Sequence, residues 1–148
     1  MKYDITDFTG RQVTVSPRLA LYAVKDFMGT ELPGLAVIMD DVTDPSEPEQ
    51  YAVLTGSCGE FIGTKNCAYI DTNNCDFADQ LQSQGLASDT GFYKASGFCK
   101  YPLWQFEEGT LREIDNDVYQ KYSDAYDGYM ASMYGDEPDE DGIQEISL

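Results

Sequence analysis

The sequence contains no histidine and one tryptophan, and only nine lysines and arginines in 148 residues. Without histidine it lacks the most common general base and the usual partner of cysteine in mixed zinc sites. No cysteine pair has C-x-x-C spacing, and no apolar run approaches the roughly 20 residues that cross a bilayer. The first residues lack the charged-then-apolar pattern of a secretory signal. These absences predict a cytoplasmic protein with no metal, cofactor or membrane partner and with no recognisable catalytic residue, so we expect a non-enzyme.

Acidic residues dominate what is present. Twenty-seven aspartates and glutamates give a net charge of −18, and residues 115–148 hold ten of them against a single base, Lys121. A charge so far from zero favours cationic partners and disfavours nucleic acid or anionic membrane as direct ligands. The expected partner is therefore a basic protein, typically one that binds nucleic acid itself. The oligomeric state is left open.

The first part of the chain has the pattern of β-strands. Short apolar or alternating segments follow one another with turn-rich connections and no helical pattern between them, which favours antiparallel pairing. The segments lie at residues 12–15, 18–24, 35–39, 51–55 and 68–70, with further candidates at 93–96 and 103–106. We therefore predict an α+β fold with a mainly antiparallel sheet of about five or six strands.

Two helices complete this prediction. Asp71, Asn73 and Asn74 are suited to cap a short helix near residues 75–85, and Gly85 is suited to end it. From Asp115 apolar and tyrosine residues recur at three- and four-residue steps, which predicts a long C-terminal helix near residues 116–134. The expected organisation is one domain over residues 1–134 and an acidic flexible tail over 135–148.

The tyrosines of the long helix admit two interpretations. Tyr119, Tyr122, Tyr126 and Tyr129 follow helical spacing, which is typical of residues that pack on a sheet. The alternative is a partner-binding surface with tyrosines as anchors. In both cases the acidic residues of the opposite face stay exposed and available to a partner.

Cys75 is the one candidate nucleophile. It stands where a helix should begin, and helix N-termini lower the pKa of a thiol. With Asp71 nearby, an enzyme with a Cys75/Asp71 site is an alternative function, although the chain offers no histidine as base. The simpler interpretation is that Cys75 packs in the core. A disulfide between Cys58 and Cys67 is compatible with the loop between them, but the expected compartment disfavours it.

Two blocks of the sequence carry a resemblance to a known family. They are Ala68-Tyr-Ile-Asp-Thr-Asn-Asn-Cys75 and Thr90-Gly-Phe-Tyr followed by Ser96-Gly-Phe-Cys-Lys-Tyr-Pro-Leu-Trp104. Over about residues 18–114 the chain resembles an uncharacterised bacterial family, domain of unknown function 4313. Its members are small proteins encoded on conjugative and other mobile elements. The resemblance implies a mobile-element context but no activity and no catalytic residues, and it leaves residues 115–148 outside the family.

These observations lead to one main hypothesis and two alternatives. The chain is predicted to be a non-enzymatic acidic protein that engages a basic protein surface. In a narrower form, it mimics nucleic acid and inhibits a host defence or DNA-processing protein. Eighteen charges match about 30 Å of duplex, so mimicry requires the acidic segments to share one face. The alternatives are an accessory module of conjugation without mimicry, and the Cys75/Asp71 enzyme. The expected partner-binding residues are Asp40, Asp41, Asp44, Asp117, Asp124, Asp127, Asp136, Glu137, Asp139, Glu140 and Asp141.

Overall fold

The computed structural model of the chain describes residues 1–57 and 59–134. These residues form an α+β fold with two four-stranded antiparallel sheets, in the orders β1-β2-β3-β4 and β5-β6-β8-β7. The predicted fold class is confirmed, but the chain builds two sheets where we expected a single one of five or six strands. The elements are β1 (Tyr3–Thr6), β2 (Gln12–Lys25), β3 (Glu31–Asp41), β4 (Glu49–Val53), β5 (Thr55–Gly56), β6 (Cys67–Ile70), α1 (Ala78–Ser83), β7 (Ser88–Ser96), β8 (Cys99–Gln105) and α2 (Glu108–Tyr134).

Strand β2 joins two segments that the sequence separates at Pro17. The Val42 N–H donates to the Thr14 carbonyl, so the backbone groups of even-numbered β2 residues point toward β3. The backbone of Pro17 therefore faces the side of β1. The pairing of β1 with β2 extends only as far as Tyr3 and Val15, so Pro17 lies beyond it. Its missing N–H costs no ladder hydrogen bond there, which is the edge position that proline tolerates in a sheet.

The chain passes from the first sheet to the second at Leu54, which lies between β4 and β5. Its N–H donates to the Val37 carbonyl at 2.9 Å, and its carbonyl accepts from the Asp71 N–H at 2.8 Å. The buried hydroxyl of Thr55 accepts from the Val37 N–H at 3.1 Å. Both backbone groups of Leu54 are therefore hydrogen-bonded where the chain crosses. Buried residues of the two sheets belong to one hydrophobic core.

The buried face of the β2–β3 hairpin changes along its length. Val15 and Leu19 are buried near its base, but toward its tip Val24 is buried instead, on the opposite face of the strand. At the tip this opposite face is covered by Phe61 and by Tyr122 of α2, which line one small cavity together with residues of the hairpin. The hairpin tip, the loop before β6 and α2 therefore form one packed unit.

The short helix differs from the prediction. Helix α1 covers Ala78–Ser83, and its N-cap position, Phe77, makes no side-chain capping hydrogen bond. Asp71 closes an earlier turn, where its carboxylate accepts from the backbone N–H and the side-chain amide of Asn74 at 3.2 and 2.8 Å. The predicted capping of this helix by Asp71, Asn73 and Asn74 is therefore wrong. The predicted stop is confirmed, because Gly85 has a φ of 90° directly after the C-cap residue.

Asp115 divides the long helix into two segments. Its backbone is extended, with φ −162° and ψ 98°, and its carboxylate accepts from the Val118 N–H at 3.1 Å. Asp115 therefore N-caps the second segment, which agrees with the helix predicted near residues 116–134, whereas the segment before Asp115 was not predicted. Arg112 spans the break by donating to Glu108 on one side and to Asn116 on the other. No helix in residues 1–57 and 59–134 combines the length and apolar character needed to cross a bilayer.

Candidate protein-binding surfaces

Asp40 lies at the end of β3 and has an internal basic partner. The Arg18 guanidinium donates to its two carboxylate oxygens at 2.9 and 3.1 Å from the neighbouring strand. Residues 18 and 40 lie diagonally across the β2–β3 pair, so the ladder register creates this contact. Asp40 is therefore largely neutralised within the chain.

Asp41 belongs to a small carboxylate group around Arg11. The Thr43 N–H donates to Asp41 at 2.9 Å, and the Arg11 guanidinium lies 3.8 Å from Asp41 and 3.5 Å from Asp7. Hydrogen bonds from Thr43, assisted by Arg11, hold the pKa of Asp41 below its ordinary value. Hydrogen bonds from Thr9 and Arg11 do the same for Asp7. Both carboxylates therefore stay ionised at neutral pH.

Beyond Asp41 the β3–β4 connection is exposed and purely acidic. Asp44 accepts from the Ser46 hydroxyl at 2.7 Å and from its N–H at 3.1 Å, which lowers the pKa of Asp44. Glu47 and Glu49 are exposed, and neither takes part in an ion pair among the described residues. The loop and the first residue of β4 therefore present three carboxylates to solvent, with no basic partner among the described residues.

The acidic residues of α2 line its solvent face. Asp117 and Asp124 are exposed, and Asp124 accepts from the side-chain amide of Gln120 at 2.8 Å. Asp127 pairs with Lys65 at 2.9 Å. On the opposite face Tyr119, Tyr122 and Tyr126 are buried. The interpretation of these three tyrosines as core residues is confirmed, and the acidic face is free in part for a partner.

The predicted acidic residues do not form one compact patch. Asp26 lies in the turn at the tip of the β2–β3 hairpin, and Tyr129 donates to it there. Asp127, two residues before Tyr129 on α2, is therefore near the hairpin tip. Asp40, Asp41 and Asp44 lie at the other end of β3, an 11-residue strand that spans on the order of 35 Å when extended. The remaining predicted residues, Asp136, Glu137, Asp139, Glu140 and Asp141, fall outside the described residues.

An open aromatic groove lies at the C-terminal end of α2, where no site was predicted. It has a volume of about 410 Å³, and we call it the tip groove. Phe27 and Tyr134 are 83% and 72% exposed, so their rings are accessible to a partner. The aromatic and methionine side chains that line the groove are Phe27, Phe61, Tyr129, Met130 and Tyr134.

Asp26 also lines the tip groove and is held in place by three hydrogen bonds. The Tyr129 hydroxyl donates to one carboxylate oxygen at 2.7 Å, and the N–H groups of Met28 and Thr30 donate to the other at 2.9 and 2.8 Å. The hydrogen bond from Tyr129, with those from Thr30 and Met28, lowers the pKa of Asp26. The groove therefore contains a fixed carboxylate beside aromatic rings, and Lys25 also lines it.

Backbone pairing positions the second wall of the tip groove. The Lys25 N–H donates to the Gly59 carbonyl, and the Phe61 N–H donates to the Lys25 carbonyl, each at 3.0 Å. These bonds fix Phe61 against Tyr129, with ring centroids 4.9 Å apart in an edge-to-face arrangement. Glu60, between them, pairs with Lys94. An exposed Phe27-Met28 pair in a hairpin turn was the sequence signal that could have indicated this surface.

The Cys75 thiol is placed for packing. Its side chain is 1% exposed and its thiol donates to the Val53 carbonyl at 3.4 Å. Burial, with Asp71 and Asp76 nearby, raises the pKa of Cys75 to about 11, the opposite of what a thiolate nucleophile requires. Cys67, Cys75 and Cys99 have free thiols, and Cys58 lies outside the described residues. No group of three or more potential metal ligands occurs in the described part of the chain.

Comparison with known proteins gives one family and no further relative. A family model described as Domain of unknown function (DUF4313) matches residues 23–126. The match includes the first part of the long helix, which the resemblance in the sequence had left outside the family. No curated protein matches the chain, and no solved structure does.

Proposed function

The chain belongs to the family described as Domain of unknown function (DUF4313), and from its surface chemistry we propose that it is a non-enzymatic binding protein for a basic protein surface. The observation that carries this proposal is the set of exposed carboxylates that have no basic partner within residues 1–57 and 59–134. Glu47 in the β3–β4 loop, Glu49 at the start of β4, and Asp117 and Asp124 on α2 belong to this set. Exposed carboxylates attract Arg and Lys on a partner and accelerate its association.

The buried thiol of Cys75 supports a binding function over an enzymatic one. A nucleophilic cysteine needs a lowered pKa and access to its substrate. Cys75 is 1% exposed, and its burial is the main reason why its pKa is raised. The proposal therefore assigns Cys75 to the core and places function on the surface.

Mimicry of nucleic acid is the narrower form of the proposal. In this form the partner is a nucleic-acid-binding protein of a host defence system or of a DNA-processing machine, and the chain acts in a mobile-element setting. The total charge is sufficient for about 30 Å of duplex. However, Arg18 and Lys65 neutralise Asp40 and Asp127, so those two carboxylates contribute less to such a surface. Displacement of the partner by DNA separates mimicry from other binding to a basic surface.

A pull-down at low salt tests the proposal. The full chain is used as bait in bacterial lysate, with and without duplex DNA as competitor, and captured proteins are identified by mass spectrometry. We expect enrichment of basic proteins, with capture decreasing as salt rises, because exposed charges are screened. The charge-reversed variant Glu47→Lys, Glu49→Lys, Asp117→Lys, Asp124→Lys should lose the captured proteins.

A matched variant controls for net charge. Asp79→Lys and Glu107→Lys also reverse exposed carboxylates that make no ion pair among the described residues. Asp79 lies in α1 and Glu107 lies directly before α2, outside the proposed binding set. This pair changes the net charge as much as the double variant Asp117→Lys, Asp124→Lys, and it should reduce capture less than that double variant does. Capture that survives the fourfold reversal overturns the proposal. Capture that is lost through the fourfold reversal but unaffected by DNA overturns mimicry alone.

A further inference from the structure

The tip groove combines two features that together recognise a cation. Its walls carry the rings of Phe27, Phe61, Tyr129 and Tyr134, and its lining includes the carboxylate of Asp26. Lys25 and Glu60 line the groove as well, and Glu60 is paired with Lys94. The face of an aromatic ring attracts a cation, and a neighbouring carboxylate adds direct charge attraction.

We propose that the tip groove binds an arginine side chain of the protein partner, with the guanidinium stacked on the aromatic rings and donating to Asp26. This inference rests on the proposed function, because it places one contact of the basic partner at a defined site. Arginine fits better than lysine, because its planar guanidinium stacks on rings and donates in several directions at once. The volume of about 410 Å³ also admits an apolar side chain next to that arginine.

Asp26 has acceptor capacity left for this contact. Tyr129 donates to one carboxylate oxygen, and the N–H groups of Met28 and Thr30 donate to the other, with a further contribution from the Thr30 side chain. A carboxylate oxygen accepts up to two hydrogen bonds, so a guanidinium N–H would approach the oxygen that is bonded to Tyr129. Because the three internal hydrogen bonds fix the carboxylate before a ligand arrives, little ordering is required on binding.

The aromatic walls differ in exposure in a way that suits capture of a side chain. Phe61 packs between Tyr126 and Tyr129, with centroid distances of 5.4 and 4.9 Å, and forms the fixed wall. Phe27 and Tyr134 are 83% and 72% exposed and form the open edge. A partner side chain can therefore enter from solvent without displacing a packed residue.

Methionine methyl NMR on the full chain tests this site with a defined probe. The probe is the dipeptide acetyl-Arg-Leu-amide, and its neutral counterpart replaces arginine with citrulline, which keeps the shape and removes the charge. Met130 lines the tip groove, whereas Met39 is fully buried in the core and serves as internal reference. We expect a saturable shift of the Met130 methyl, no shift of Met39, and about three- to fivefold weaker binding of the citrulline peptide.

Matched alanine variants locate the binding. Phe27→Ala and Tyr134→Ala remove exposed rings of the groove, and Phe8→Ala removes an equally exposed ring, 87% accessible, from the turn between β1 and β2. The two groove variants should each weaken binding of the arginine peptide about threefold, and Phe8→Ala should leave it unchanged.

The outcomes separate this inference from the proposed function. Equal binding of the arginine and citrulline peptides, or an unchanged Met130 methyl, overturns the tip groove as an arginine site. If lysate capture of basic proteins nevertheless persists in the double variant Phe27→Ala, Tyr134→Ala, the proposed function stands without this site. If the arginine peptide binds but the wild type captures no basic proteins, the tip groove stands as an arginine site and the proposed function is overturned.

Discussion

The Tyr129 hydroxyl donates a hydrogen bond of 2.7 Å to the Asp26 carboxylate, joining residues 103 positions apart. This bond connects the C-terminal part of α2 to the tip of the β2–β3 hairpin, and it is the main cause of the pKa shift of each partner. The pKa of Asp26 is lowered and that of Tyr129 is raised to about 12. A structural tie and a fixed charge in the tip groove therefore depend on the same contact.

Tyr129→Phe should lower the thermal stability of the protein, and the loss should depend on pH. The folded state lowers the pKa of Asp26. The ionised Asp26 carboxylate therefore stabilises the folded protein above the pKa it has in the unfolded chain, and this stabilisation is lost as pH falls through its pKa in the folded protein. The difference in Tm between wild type and variant should thus be largest near neutral pH and narrow below about pH 4. Thermal melts from pH 3 to 8 measure it, and a difference that does not narrow in acid contradicts the assignment.

Alkaline titration tests the same hydrogen bond through the ionisation of Tyr129. Tyr129 has its pKa raised to about 12, so its contribution is present below the unfolded value near 10 and is lost as pH rises toward 12. Phenolate absorbance of the native wild type should show one more late-titrating tyrosine than Tyr129→Phe. Identical titration curves of the two proteins would contradict this.

Asn66 is held by two tyrosines of α2. Its side-chain oxygen accepts from the Tyr119 hydroxyl at 2.8 Å, its N–H donates to the Tyr122 hydroxyl at 2.9 Å, and its φ is 65°. Asn66→Ala should reduce the free energy of unfolding by about 2–4 kcal/mol, since it leaves a buried hydroxyl without an acceptor and adds left-handed backbone strain. Asn66→Gly also removes the acceptor but adds no left-handed strain, so it should lose about 1 kcal/mol less than Asn66→Ala. Urea denaturation compares them, and equal losses would show that the backbone contributes nothing.

The sequence predicted the part of the long helix after Asp115 well, but it missed the segment from Glu108 and predicted the short elements poorly, for physical reasons. Tyr119, Tyr122 and Tyr126 repeat at helical spacing behind a capping aspartate, so local information suffices for that helix. Strand β1 has four residues, of which only Ile5 is buried. Four residues with a single buried side chain carry no periodic signal, and pairing with β2 alone makes them a strand.

The acidic surface was predictable from composition, and the tip groove was not. Phe27, Phe61 and Tyr134 are far apart in the sequence and meet only because the loop before β6 pairs with the end of β2. Similarly, neutralisation of Asp40 by Arg18 depends on the register of the hairpin. Such contacts are set by tertiary packing, which single-sequence patterns do not contain.

Two glycines should respond to alanine in opposite directions. A Cβ on Gly34 would lie 2.9 Å from the Tyr22 ring and 3.0 Å from a methyl of the buried Val24, so Gly34→Ala overpacks the hairpin and should destabilise the protein by about 1–3 kcal/mol. Gly128 lies in α2 with open space around it, and Gly128→Ala should stabilise the protein by about 1 kcal/mol. Urea denaturation of both variants measures these changes, and stabilisation by Gly34→Ala would contradict the tight packing at the hairpin.

Cysteine reactivity should follow burial in the native protein. Cys75 is 1% exposed with its pKa raised to about 11, and burial also raises the pKa of Cys67, whereas Cys99 is partly exposed. Iodoacetamide at pH 8 reacts with the thiolate, so Cys99 should be labelled first and Cys75 should remain at least about 100-fold slower than in denatured protein. Peptide mapping by mass spectrometry follows each site, with labelling in urea as the control. Native labelling of Cys75 as fast as Cys99 would show an accessible thiolate and return the Cys75/Asp71 pair to consideration as a catalytic site.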